Sequence, residues 1–319
     1  MPQPNPGAGF PDPLMQNIAI GYTNAEFIGE RALQELLVEN ESGLYPVFPR
    51  GAWFRDEAAH RGPGSAAPRS GYTVSTGTYK CINKAIAKEV TDEERNNPYQ
   101  AVLMPDIRAA QFCSNAIRLH IERLVATLFL TAANWASGHT EDATGGWAAG
   151  SGNTFLTDVF LRRETIREAI GRYPNVMIID SVTMKELQQE ATLLDRIKYT
   201  QKAVFVGDLV ASLFELDELL VGKAIYSTAD EKADGTDFSS RNIWETNLNK
   251  GSACLYYRPK APGKFEPATG YRFLHGQPML TTRYREEKQH QDVIEINHKQ
   301  DAVLTSNISG FLWTDTHTT

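Results

Sequence analysis

From Pro105 to Gly138 the chain reads PDIRAAQFCSNAIRLHIERLVATLFLTAANWASG. Ile117, Ile121, Leu124, Val125, Leu128 and Phe129 recur at helical spacing, Pro105 and Asp106 suit a first turn, and Gly138 suits a stop. A helix of about 30 residues runs roughly 45 Å at 1.5 Å per residue, far longer than the average globular helix. Such an element acts as a spine along which the other segments must pack. Arg118, His120, Glu122 and Arg123 interrupt the run with more charge than a membrane span tolerates, so a soluble protein is expected.

Residues 1 to 23 are rich in Pro, Gly and Asn and read as an extended arm that needs another surface to order it. TNAEFIGERALQELL offers Asn24 as a helix cap and Ile28, Ala32 and Leu36 on one face, which predicts a short amphipathic helix. A tight turn follows at Glu41 to Gly43. YPVFPRGAWFRDEAA and GYTVSTGTYKCINKAIAKEV are then two β-leaning runs flanking GPGSAAPRSG, residues 62 to 71, which has no large apolar side chain. Together they predict a long hairpin. A two-stranded hairpin alone is marginal in water, so something outside the loop must support it.

TDEERNN (91 to 97) reads as a polar connector to the spine. Beyond the spine, HTEDATGGWAAGSGNT (139 to 154) has the composition of a mobile loop. LTDVFLRRETIREAIGRY predicts a helix and PNVMIID a buried strand. Thr183 and Glu186 have capping-box spacing, TLLDRIKY looks helical, and VGDLVASLFEL leads into the strand LLVGKAIY. DEKADGTDFSSRN is another polar loop. Strands dominate from Ala253 to Trp313, which makes the expected class α+β.

The net charge of −7 argues against a protein built to grip nucleic acid. Cys81, Cys113 and Cys254 are too scattered for a disulfide framework or a metal pair. The first residues have no basic stretch followed by an apolar run, so no secretory signal is expected. No nucleophile elbow, zinc-binding helix, phosphate loop or strand-linked dinucleotide fingerprint occurs. The glycines of GWAAGSGNT lack the Lys-Ser/Thr ending of a phosphate cradle. The carboxylates of HTED and ELDEL have no paired nucleophile, and the histidines are dispersed. No catalytic, cofactor or metal residues are therefore nominated. REEKQHQD (285 to 292) reads as a solvated turn, with contact to a neighbouring subunit as the sharper alternative.

One charge asymmetry stands out. Residues 1 to 45 hold six acids (Asp12, Glu26, Glu30, Glu35, Glu39, Glu41) and one base, Arg31. Residues 46 to 88 hold seven bases (Arg50, Arg55, Arg61, Arg69, Lys80, Lys84, Lys88) and two acids, Asp56 and Glu57. Single exposed pairs contribute only about 0 to 1 kcal/mol, but complementary pairing repeated over many copies sets register. The expected contacts between subunits are Glu30, Glu35 and Glu39 on one side and Arg55, Asp56, Glu57, Arg61, Arg69, Lys84 and Lys88 on the other.

The order of arm, projecting loop, spine, α/β middle and β tail resembles the major capsid proteins of tailed bacteriophages, the Hong Kong 97-type fold. GYTNAEFIGERAL, WFRDEAAHRGPGSAAPRSGYTVSTGTYKC, AIAKEVTDEER, TIREAIGRYPNVMIID, DLVASLFELDELLVGKAIY and SGFLWTD carry the likeness in that order. The resemblance implies an N-terminal arm (1 to 45), an extended loop (46 to 92), a peripheral domain with the spine (93 to 180), an axial domain (181 to 269) and a peripheral β tail (270 to 319). It implies that the loop lies across an adjacent subunit, which would supply the missing support for residues 62 to 71. The implied function is non-enzymatic self-assembly, through hexamers and pentamers, into an icosahedral shell around double-stranded DNA held without sequence-specific contacts, with no membrane and no cofactor. Portal, decoration and separate scaffolding proteins would be the partners, the last because only about 45 residues precede the loop. Some members join subunits through a loop Lys and a neighbour's Asn; residues 57 to 71 contain no Lys, which argues against that bond. The place of action would be the virion, after assembly in the host cytoplasm. Two other classes compete: an encapsulin-type shell around cargo protein, and a soluble α/β hydrolase using dispersed Asp or His.

Overall fold

The computed structural model describes residues 10–11, 26–47, 51, 54–58, 60–67, 69–96, 104–150, 152–197, 207–229, 239–246, 250–263 and 268–318. In chain order the elements begin with β1 (Phe10–Pro11), α1 (Gly29–Ala32), β2 (Gln34–Val38), β3 (Ser42–Val47), β4 (Ser75–Lys80), β5 (Ile82–Thr91), α2 (Asp92–Asn96) and the spine α3 (Pro105–Leu130). They continue with β6 (Thr140–Asp142), α4 (Phe155–Ile170), β7 (Val176–Asp180), α5 (Ser181–Gln189), α6 (Ala191–Ile197), α7 (Gly207–Leu213), β8 (Glu218–Gly222), β9 (Ile225–Ser227) and β10 (Ser240–Asn242). The tail is β11 (Lys250–Tyr256), β12 (Gly270–His275), β13 (Leu280–Glu286), β14 (Gln291–Leu304) and β15 (Gly310–Thr318).

The spine is packed between two sheets. A six-stranded sheet runs β1-β13-β14-β12-β2, with β5 also paired to β14; a five-stranded sheet runs β6-β15-β11-β7-β8. Ile117, Ile121, Val125 and Phe129 of α3 share one core with Ile296 and Ala302 of the first sheet and with Val176, Ile178, Cys254, Tyr256 and Leu312 of the second. The alternate residues of the second sheet, Met177, Ile179, Ala253, Leu255, Phe311 and Trp313, face a separate core built with α4, α5 and α7. Burial on both faces explains why Val176–Ile179 is a continuous apolar run rather than an alternating one. The α+β class expected from the sequence is the one observed.

Several local expectations are corrected. The spine stops at Leu130, eight residues before Gly138, because Asn134 Nδ2 and Trp135 Nε1 donate to the carbonyls of Leu128 and Phe129, both at 2.8 Å, and so close the helix end. The helix expected over TNAEFIGERALQELL shrinks to four residues. From Gln34 the chain instead pairs parallel to β12, in the register Tyr271↔Gln34 to His275↔Val38, so tertiary pairing overrides helical spacing; Asn24 lies outside the described residues. The turn falls at residues 39–41, and Ser42–Val47 is already strand. TDEERNN starts with the end of β5 and forms α2. Thr183 and Glu186 make no capping box: Asp180 caps α5, accepting from the Val182 and Thr183 amides at 2.9 and 3.0 Å.

Residues 139–154 are not a free loop. They contain β6, and Trp147 is fully buried in the second core, its indole donating to Asp158 at 2.9 Å and its ring 5.1 Å from that of Trp313. The polar segment 230 to 242 is described only at its end, where β10 pairs with β9. Of REEKQHQD only residues 287–290 are the turn joining β13 to β14; Arg285 and Glu286 end β13, and Gln291 and Asp292 begin β14 and are buried. All but Phe10 and Pro11 of the arm's first 23 residues lie outside the described residues. Burial raises the Cys81 and Cys113 thiols to about 11 and lifts Cys254 well above the ordinary thiol value, so all three stay as packed, protonated side chains.

Candidate assembly surfaces

The predicted hairpin is shorter at its base and longer at its tip than the β-leaning runs imply. Only Ser42–Val47 and Ser75–Lys80 pair, and no strand occurs among the described residues of 51–74. The pairing is built on two cross-strand Tyr/Gly pairs, Gly43↔Tyr79 and Tyr45↔Gly77. Each ring covers the glycine opposite: a Cβ on Gly43 would stand 2.7 Å from the Tyr79 hydroxyl, and one on Gly77 would run into the Tyr45 ring. Tyr79 and Tyr45 then stack on Phe273 of β12, at 4.4 and 5.8 Å between ring centroids. With Val38, Cys81 and Tyr271 they form a satellite core that fixes where the loop leaves the body.

The tip bonds to itself. Arg61 Nε donates to the Ser65 carbonyl at 2.6 Å, the Ser65 amide to the Gly62 carbonyl at 3.1 Å, and the Ser70 hydroxyl to Glu57. Arg55 faces Glu57 at 3.6 Å and Asp56 accepts from the Ala58 amide at 3.3 Å. Arg69 is exposed, as are Lys84 and Lys88 on β5. Phe54, Tyr72 and Val74 expose large apolar area on the two legs of the loop.

The acids before the loop are held differently. Glu30 pairs with Arg118 of the spine at 3.1 Å and Glu35 with the buried Arg272 at 3.3 Å, while Glu39 stands exposed at the bend. No ion pair joins Glu30, Glu35 or Glu39 to Arg55, Arg61 or Arg69 among the described residues.

Around Glu30 the structure supplies what α1 lacks. A four-residue helix has no room to satisfy its own ends, and Ile28 makes no side-chain cap. Glu122, buried on the spine, accepts from the Ile28 and Gly29 amides at 3.1 and 2.5 Å and from the Trp244 indole at 2.6 Å. At the other end the carbonyls of Glu30, Arg31, Ala32 and Leu33 receive Arg272, Arg258, Tyr256 and again Arg272. Burial pushes the Glu122 carboxyl above the usual carboxylate range, against the pull of those three donors. A carboxylate in the middle of an apolar stripe is the one sequence signal that marks this latch; its donors are spread from residue 28 to 244.

A third cluster ties the start of the spine to the tail. Arg95 bridges Asp106 and Asp292 at 2.8 and 2.9 Å, Arg283 bonds Asp292 at 2.5 Å, and Arg285 bonds Asp92 at 2.5 Å. Arg285 chiefly holds Asp92 below the usual range. Asp292 is pushed up by burial but pulled lower by Arg283 and Arg95.

Asp180, Thr183 and His317 bring carboxylate, hydroxyl and imidazole together, with Thr183 Oγ1 2.9 Å from His317 Nδ1 and 2.6 Å from Thr316 Oγ1. Their exposures of 1%, 0% and 2% leave no approach for a substrate, and the cluster serves as a polar junction among α5, β7 and β15. No group of three metal-ligating side chains converges among the described residues. No helix there is long and apolar enough to cross a membrane.

No protein-family model matches the chain. The major capsid protein of Burkholderia phage BcepMu is 32% identical over 286 residues, covering 87% of this chain and 88% of that protein. A crystal structure of a phage-related protein from Bordetella bronchiseptica RB50 superposes with a TM-score of 0.75 at 21% identity, covering 97% of this chain and 98% of the other. The capsid of Cyanophage P-SCSP1u matches with a TM-score of 0.55 at 11% identity, over 88% of this chain and 85% of the other.

Proposed function

The chain belongs to the phage major capsid protein family, and from that premise we propose that it assembles with its own copies, through hexamers and pentamers, into an icosahedral shell around double-stranded DNA. The observation that carries this reading is identity of 32% sustained over 87% of the chain. The loop supports it: residues 62 to 71 carry no large apolar side chain to bury in their own subunit, which leaves a neighbour as the surface to hold them. The shell is that of a tailed-phage virion, assembled in the host cytoplasm, and the role is structural rather than catalytic. Residues 93 to 180 and 270 to 319 form the peripheral domain and residues 181 to 269 the axial domain, with the arm (1 to 45) and loop (46 to 92) as the reaching parts. A portal and a scaffolding protein are its partners. Arg55, Arg61, Arg69, Lys84 and Lys88 meet acidic surface of the next copy, with Asp56 and Glu57 beside them at the same contact and exposed Glu39 on the complementary side; Glu30 and Glu35 are held within the subunit by Arg118 and Arg272.

Electron microscopy of the chain expressed alone and with its genomic neighbours, with mass from light scattering, tests this. Closed shells, tubes or rings of five or six are the expected products, with nucleic acid inside the closed ones. A persistent monomer or dimer under every condition would overturn the proposal, and enclosed cargo protein would move it to an encapsulin-type compartment.

A further inference from the structure

We propose that Gly171 is the seat on which the extended loop lands, occupied by the chain's own Phe54 in the free subunit and by Phe54 of an adjacent copy in the shell. The second half rests on the shell reading above. The helix α4 ends at Gly171, whose left-handed φ of 71° lets its amide bond the Arg167 carbonyl at 2.7 Å. A Cβ at this position would stand 2.7 and 2.8 Å from two ring carbons of Phe54. Only a glycine here leaves room for the ring.

The cis contact is incomplete. Phe54 is still 60% exposed, and Tyr72 and Val74 on the returning leg expose 61% and 41%. On the receiving side, Tyr173, two residues past the seat, is also 47% exposed. The ring and the surface beside its seat are therefore both left partly uncovered, as expected of groups made for fuller contact. The occupant that fits is a second copy, because an identical loop makes an identical contact, and exchanging like elements between protomers loses nothing. Reach permits it. Phe54 stands seven residues beyond Val47, up to about 25 Å of extended chain, against a radius of gyration of roughly 20 Å for a chain of this length. Holding the loop in cis would keep its apolar legs partly covered until a neighbour arrives.

The test replaces Phe54 with photo-reactive benzoylphenylalanine and maps cross-links by mass spectrometry, on dilute subunits and on shells assembled from equal amounts of light and heavy-nitrogen chains. Expected are intrachain links to the peptide containing Gly171 in the subunit, and in shells roughly half of the links joining light to heavy chains, the random-mixing value for exchanged elements. Same-isotope links alone in the shells would overturn the exchange, and no link to the Gly171 peptide in the subunit would overturn the seat. Gly171→Asn keeps a residue that tolerates left-handed backbone but fills the seat, so it should abolish the link in both samples without loss of helix signal. A link that survives it counts against the seat. Failure of the unmodified chain to form shells would defeat the shell reading, and the exchange with it, while the subunit link still decides the seat.

Discussion

Residues 62–71 and 139–154 look alike as sequence, both short of apolar side chains and rich in Gly, Ala, Ser and Thr, yet they have opposite fates. The second is tied down by one residue, Trp147, fully buried against Phe155 and Trp313, with its indole proton on Asp158 and Asn153 bonding its carbonyl at 2.9 Å. The first has no such residue, and its hydrogen bonds among the described residues stay within the loop, to Arg61, Glu57 and itself. One large aromatic converts a loop into part of a core, because its burial outweighs the ordering cost of the few residues around it. A segment without one stays available to another molecule.

The contrast can be broken most directly at Trp147. Trp147→Ala should cost about 3 to 5 kcal/mol in urea unfolding, whereas deleting residues 62–71 should change subunit stability by less than about 1 kcal/mol and yet abolish shells on micrographs. A deletion that unfolds the subunit, or shells of unchanged yield, would erase the difference between the two segments. Next in size is the base of the loop. Gly77→Ala pushes a methyl into the Tyr45 ring and should cost about 1 to 3 kcal/mol, with altered near-ultraviolet dichroism from the displaced tyrosines; no change would mean that the base is as loose as the tip.

Glu122→Gln asks whether the latch resembles the anchored segment. It turns an amide toward the Gly29 N–H and should cost about 1 to 3 kcal/mol. Its pH dependence has a definite sign. Because burial raises the folded-state pKa of this carboxyl, the folded state binds the proton more readily, and the contribution of Glu122 to stability falls as pH rises through that raised value. The deficit of the variant relative to wild type should therefore shrink from about pH 4 to 7. A deficit that grows instead would mean that the carboxylate is stabilised in place. The smallest effect on the subunit is expected from Arg55, Arg61 and Arg69 all changed to Glu: an unmoved urea midpoint, with assembly lost at ordinary salt. Normal shells from that variant would remove charge complementarity from the account of the loop.

Long-period patterns were legible in the sequence and single anchoring contacts were not. The stripe Ile117, Ile121, Val125 and Phe129 announces the spine because burial there repeats every turn. The end of the spine was misplaced because Asn134 and Trp135 close it through side chains that no period reveals. The helix expected over residues 23–37 has sound spacing but gives way to parallel pairing with a strand more than 230 residues away. Trp147 was visible as a letter, but its core is assembled from Phe155, Phe214 and Trp313, which only the fold brings together. The loop was legible for the opposite reason: a segment with nothing to bury has no hidden partner to miss. Of the residues expected at contacts, those in the loop are on the surface, whereas Glu30 and Glu35 are engaged by Arg118 and Arg272, whose positions depend on the whole sheet.

Only Cys81 separates β4, the returning leg of the hairpin, from β5, and β5 pairs with β14 over ten consecutive residues from Ile82 to Thr91. The loop is thus covalently continuous with β5 and, through that ladder, coupled to β14, the longest strand of the sheet. Tension on it along the direction of β5 loads the hydrogen bonds of that pairing side by side, in shear, so they must give together rather than one at a time as in peeling. A lattice stretched from within would draw on the full length of that ladder, while the tip itself stays compliant.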